Sequence, residues 1–131
     1  MTPDRDIVLD HYENPRNVGE MFDADGVGIV ENAACGDVMQ LYLNIEANTI
    51  VKASFKAYGC APAIAAGSVL TELLTGTALE GAKRLKKEDV ASALGGLPPM
   101  KQHCSILAAD ALNTALTDYQ SRSEETSNTA I

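Results

Sequence analysis

The chain has 131 residues, 18 acidic and 10 basic, for a formal net charge of −8, with 46% apolar residues, three cysteines and no tryptophan. That length and balance describe one ordinary globular domain with a real core, and the acidity excludes nucleic acid, whose phosphates need a basic face. Three thiols cannot all pair within one chain, and no apolar run reads as a membrane span or a signal peptide, so a reducing, cytoplasmic setting without a membrane partner is expected.

A short helix is expected from Thr2-Pro3-Asp4, with Thr2 or Asp4 as cap and Ile7, Val8, His11 and Tyr12 at helical spacing. Pro15 in Asn14-Pro15-Arg16-Asn17-Val18-Gly19 ends it, because proline disfavours helical geometry in the residue before it. Residues 21–26 form an acidic loop, and Val27 to Val30 form a first strand ending near Asn32. From Val38 to Glu46 the alternation is clean: Met39, Leu41, Leu43 and Ile45 share one face, and Gln40, Tyr42 and Asn44 the other. Residues 46–49 make a hairpin turn, and Ile50 to Tyr58 forms a third strand, with Val51, Ala53, Phe55 and Ala57 on its apolar face.

After Gly59 the period changes. Pro62 suits the first residue of a helix that runs to Thr75 and stops at Gly76, apolar almost all round and therefore buried. Thr77 and Glu80 have capping-box spacing for a short helix ending near Leu85, and a further helix spans Lys87 to Leu94 before Gly95-Gly96. The last helix is expected from near Pro99 to about Tyr119, burying Leu107, Ala111, Leu112, Ala115, Leu116 and Tyr119. Residues 1–120 therefore read as a single α+β domain, a small three-stranded antiparallel meander covered by helices, and 121–131 as a polar, disordered tail.

Each cysteine lies at a joint between elements: Cys35 between the first two strands, Cys60 where the third strand hands over to the buried helix, and Cys104 in the first turns of the last helix. A meander brings the first two joints to one end of the sheet, and a last helix docked with its N-terminus there brings the third. A single free cysteine most often reads as a small buried hydrophobe. Three at joints, with Asp37 and His103 close by and Lys101 three positions from Cys104, read instead as a thiolate site. Helix N-termini beside Cys60 and Cys104 favour thiolate, and three soft thiolates favour iron–sulfur or zinc over magnesium or calcium. No CxxC pair is present. His11 reads as a packing or surface histidine. Leu97-Pro98-Pro99-Met100-Lys101 reads either as a stiff entry to a helix or as an extended segment suited to docking.

Asp10 to Gly19, Ala34-Cys35-Gly36-Asp37-Val38-Met39, Phe55-Lys56-Ala57-Tyr58-Gly59-Cys60 and Leu97 to Ser105 together carry a resemblance. Over residues 4 to 120 the chain resembles the iron–sulfur cluster assembly scaffolds of the IscU and NifU N-terminal domain family. The resemblance implies a non-enzymatic scaffold that builds a labile 2Fe–2S cluster and passes it to acceptor apoproteins. It implies Cys35, Cys60 and Cys104 as cluster ligands, Asp37 and His103 as candidates for the fourth position, Cys104 as persulfide acceptor, and Lys101 as a group that adjusts the site. Leu97, Pro98, Pro99, Met100 and Lys101 match the segment gripped by a dedicated Hsp70-type chaperone and its J-protein co-chaperone. The other partners so implied are a pyridoxal-phosphate cysteine desulfurase, an iron donor or frataxin-like protein, and a ferredoxin, with zinc able to occupy the cluster-free site. Three departures stand out: Ala61-Pro62 where bacterial members continue with Gly-Ser, Met100 where valine is usual, and no tyrosine in Met1-Thr2-Pro3. Two other classes remain to be weighed. A zinc-bound sulfurtransferase of the SufU kind would carry an insertion between the second and third cysteines and lack His103 and the Leu-Pro-Pro-x-Lys segment. A cysteine–histidine nucleophilic enzyme would need Cys104 and His103 to meet, which helix neighbours are not expected to do.

Overall fold

The computed structural model describes residues 5–32, 36–96 and 103–129. The expected capping residues Thr2 and Asp4, Cys35, and the whole segment 97–102 with Lys101 lie outside them. The element order is α1 (Arg5–Glu13), β1 (Gly26–Glu31), β2 (Val38–Glu46), β3 (Thr49–Tyr58), α2 (Ala61–Leu74), α3 (Leu79–Lys83), α4 (Lys87–Ala93) and α5 (His103–Thr129). The sheet is an antiparallel meander in the order β1-β2-β3, as the alternating pattern predicts. Among the described residues no helix is long and apolar enough to cross a membrane.

One face of the sheet is buried: Met39, Leu41 and Leu43 of β2 and Ala53 and Phe55 of β3 pack against Ala63, Ala66 and Leu70 of α2 and Leu107, Ala111 and Leu112 of α5. The β2–β3 turn has Ala47 and Asn48 at φ 50° and 60°, the left-handed pair of a type I′ hairpin, whose twist matches that of the strands. The inward phase of β3 differs from expectation at one end. Ile50 is buried and Val51 is 41% exposed, because the register skips a residue between Asn44 and Ile45. Next to it, Ile50 N–H donates to Thr77 O, Ile50 O accepts from Gly76 N, and Ile45 N donates to the Asp25 carboxylate. The chain ahead of α3 and the acidic loop thus pair with the outward-facing backbone groups at this end of β3 and β2.

Two helix boundaries also depart from the expected ones. Thr77 does not cap α3; its hydroxyl donates to Leu73 O at 2.7 Å, and Ala78 is the N-cap. The last helix runs on to Thr129, so residues 121–129 are helical where a disordered tail was expected. No glycine or proline interrupts residues 120–129, and Arg122 ties the extension down through Asp118 at 2.9 Å and Ala24 O at 2.9 Å.

Polar clamps fix the two outer helices. His11 Nδ1 lies 2.7 Å from Ser68 Oγ of α2, which also accepts Arg16 N–H at 2.9 Å, and Asn17 Nδ2 donates to Thr71 Oγ1 at 3.0 Å. The Arg16 guanidinium beside Asp10 holds that carboxyl below its ordinary range. At the other edge the Asp118 carboxylate accepts Val27 N–H at 2.9 Å, satisfying an edge-strand donor. Beside it, α5 lies directly on β1. A Cβ on Gly28 would collide with Ala111 O and stand 2.7 Å from Ala115 N, both backbone atoms that cannot swing aside. Gly28→Ala is expected to destabilise the fold by about 1–3 kcal/mol, the usual cost of overpacking, seen as a lower urea midpoint. An unchanged midpoint would contradict this seating of α5.

Candidate metal centre

The β1–β2 connection, the end of β3 and the start of α5 meet at one end of the sheet, and each delivers part of the site. Asp37 ends the first connection, where Asn32 N donates to Asp37 O and Gly36 N to Asn32 O, closing a tight turn just before β2. Cys60 is the N-cap of α2, in extended geometry (φ −75°, ψ 164°); its carbonyl accepts Ala63 N and Ile64 N, and its sulfur stands at the positive end of the helix. His103 and Cys104 open the described part of α5.

These four side chains converge. Asp37, Cys60, His103 and Cys104 each offer a donor atom, all within 4.8 Å of one another. Cys60 Sγ is 3.6 Å from Asp37 Oδ2 and 3.6 Å from Cys104 Sγ. His103 Nε2 is 3.4 Å from Asp37 Oδ2 and 3.5 Å from Cys104 Sγ. Cys104 is fully buried and Asp37 is 4% exposed, whereas Cys60 and His103 are half-buried and form the open side. A carboxylate this buried needs partners, and it finds them in the Cys60 thiol and the His103 ring.

The close approach of His103 and Cys104 corrects the expectation that helix neighbours point apart. His103 Nε2 lies 3.5 Å from its neighbour's sulfur. Cys35 and Lys101, expected in the same site, lie outside the described residues. His11 takes no part: it is buried in the α1–α2 clamp, with Nε2 3.4 Å from Glu72.

Sequence reasoning passed over Gly59. A Cβ there would run into Asp37 Oδ1 and stand 2.6 Å from its Cγ, so the carboxylate rests on the bare backbone of this glycine. The available signal was a glycine between the last strand residue and a ligand-type cysteine, opposite an aspartate in a meander.

Two thiols, an imidazole and a carboxylate form a mixed soft and hard donor set, which suits iron or zinc and is poor for magnesium or calcium. Cobalt(II) titrated anaerobically is expected to give thiolate-to-metal charge-transfer absorption at one equivalent. Replacing Cys60 and Cys104 together by alanine is expected to abolish stoichiometric binding, and binding that survives would place the centre elsewhere.

The chain has relatives among known proteins. Residues 4–126 match the family described as the NifU-like N terminal domain. The chain is 52% identical over 114 residues to the iron–sulfur cluster assembly scaffold protein IscU 1 of Archaeoglobus fulgidus, covering 87% of this chain and 74% of the relative. It is 49% identical over 121 residues to the protein of the same description, IscU, from Escherichia coli, covering 89% and 94%. The solved N-terminal part of a nitrogen-fixing NifU-like protein from Brucella abortus shares the fold, with a TM-score of 0.72 at 16% identity over 88% of this chain and 92% of that one.

Proposed function

This chain belongs to the family of NifU-like N-terminal domains, and from that premise we propose that it is a scaffold on which an iron–sulfur cluster is assembled and from which it is passed on. It is a carrier, not an enzyme. The observation that carries this reading is the meeting of Asp37, Cys60, His103 and Cys104 donor atoms within 4.8 Å, drawn from three separate joints of the fold.

The same geometry speaks against a cysteine–histidine nucleophile. In a nucleophilic triad the two ring nitrogens divide the work, one facing the acid and the other the nucleophile. Here a single atom, His103 Nε2, faces both Asp37 and Cys104, an arrangement that suits ligands pointing at a common ion and not a proton relay.

In this reading the cargo is a 2Fe–2S cluster, with Cys35, Cys60 and Cys104 as thiolate ligands and Asp37 or His103 completing the set. Cys104 takes sulfur as persulfide: its thiolate attacks the outer sulfur of the desulfurase persulfide, and the desulfurase thiolate leaves. Lys101 adjusts the site, zinc fills it when no cluster is bound, and residues 97–101 form the grip for the Hsp70-type chaperone and its J-protein. The desulfurase, iron donor, ferredoxin and acceptor apoproteins are the remaining partners, met in the cytoplasm. What supports a transient cargo is the donor set. Permanent clusters favour four thiolates, and a hard carboxylate on iron exchanges more readily than sulfur.

Anaerobic reconstitution with iron(II), cysteine and a pyridoxal-phosphate cysteine desulfurase tests the assignment. Visible charge-transfer bands with near-equal iron and sulfide are expected; bound zinc with persulfide turnover and no cluster would instead make the chain a SufU-like relay. Asp37→Ala is expected to lengthen cluster lifetime against a chelator by roughly tenfold, the scale on which single groups around a metal act. The reason is that His103 Nε2, 3.4 Å from Asp37 Oδ2, is placed to take over the position with a donor better matched to iron. An unchanged lifetime would remove Asp37 from this role.

A further inference from the structure

We infer that Gly59 is a positioning residue for Asp37: its lack of a side chain lets the carboxylate lie among the two sulfurs and the imidazole. The register fixes the pair. Val38 of β2 stands opposite Tyr58 of β3, so the next residue outward on each strand, Asp37 and Gly59, face each other across the mouth of the sheet. A Cβ on Gly59 would overlap Asp37 Oδ1, stand 2.6 Å from Cγ and 3.1 Å from the Asp37 Cβ. The other carboxylate oxygen, Oδ2, is the one that faces Cys60 at 3.6 Å and His103 at 3.4 Å. Gly59 therefore acts as the back wall of the carboxylate: anything larger pushes Asp37 out of its place among the donors.

Other glycines on the chain separate this role from simple backbone freedom. Gly19, Gly36, Gly76 and Gly96 also have positive φ, and a Cβ added to any of them would meet nothing within 4 Å. Gly59 has both a φ of +148°, which L side chains rarely adopt, and a direct steric partner that is itself a candidate ligand. Backbone strain on substitution is the same whatever stands at position 37, whereas the collision is with the Asp37 side chain and is removed in full only by glycine there. A double-mutant cycle isolates the collision.

The inference rests on the proposed role of Asp37 in cluster lability, and the test separates the two. In the reconstituted chain, Gly59→Ala is expected to lengthen cluster lifetime by roughly tenfold, as Asp37→Ala does, and the double variant is expected to last no longer than Asp37→Ala alone. In the metal-free chain, Gly59→Ala is expected to lower the thermal midpoint less on an Asp37→Gly background than on the parent. If Gly59→Ala alone does not fold, recovery of the fold in Asp37→Gly/Gly59→Ala supports the inference. Equal thermal penalties on both backgrounds, failure to fold on both, or lifetime effects that simply add would overturn it. Should Asp37→Ala leave lifetime unchanged, the lability reading falls, while the metal-free cycle still decides whether Gly59 positions the carboxylate.

Discussion

The pairing of β2 with β3 governs almost everything at the site. With Val38 opposite Tyr58, the residue before one strand and the residue after the other are neighbours in space, so Asp37 faces Gly59 and Cys60 follows immediately. A shift of one residue would turn Asp37 to the other face of the sheet and separate it from the sulfur. The register is held by the buried face itself, since Met39, Leu41, Leu43 and Phe55 are inward only in this phase. The apolar core is therefore what places two chemically unlike donors 3.6 Å apart.

Around that pairing the helices act as fixed walls. α2 begins at Cys60, so its seating decides where one sulfur stands, and it is held from the far side by Ser68 and Thr71 through His11, Arg16 and Asn17. Hydrogen bonds of this kind contribute about 1 kcal/mol each, enough together to keep the helix from sliding along the sheet. α5 supplies the second sulfur from its first turns and is anchored at its other end by Asp118 and Arg122. Small residues set its depth: Gly26 and Gly28 let its backbone approach β1 directly. Rigid strands and helices thus present ligands whose own segments are connections, a division of labour common in binding sites.

Much of this was legible in the sequence, for physical reasons particular to each element. The alternation in 38–46 states which face is buried, and a meander topology with a docked last helix is enough to bring Cys60, Asp37, His103 and Cys104 to one end. What escaped was decided by partners distant in sequence. The phase change at Val51 comes from a local irregularity in the β2–β3 pairing between Asn44 and Ile45, beside contacts to Gly76, Thr77 and Asp25. Thr77 reads as a cap, yet its hydroxyl bonds back to Leu73. The continuation of α5 past Tyr119 depends on Arg122 reaching Ala24. The contact between His103 and Cys104 is a matter of side-chain direction, which spacing alone does not encode. Gly59 escaped because its role lies in what it leaves empty.

In the proposed function, this arrangement holds a cluster firmly enough to build and loosely enough to give away. Transfer measures both at once. The chain, loaded anaerobically, is mixed with an apo-ferredoxin, and circular dichroism follows the two cluster environments. The ferredoxin signal is expected to grow as the scaffold signal decays, with iron and sulfide conserved in the acceptor. A loaded chain that keeps its cluster in the presence of excess apo-ferredoxin, or releases only free iron and sulfide, would contradict it.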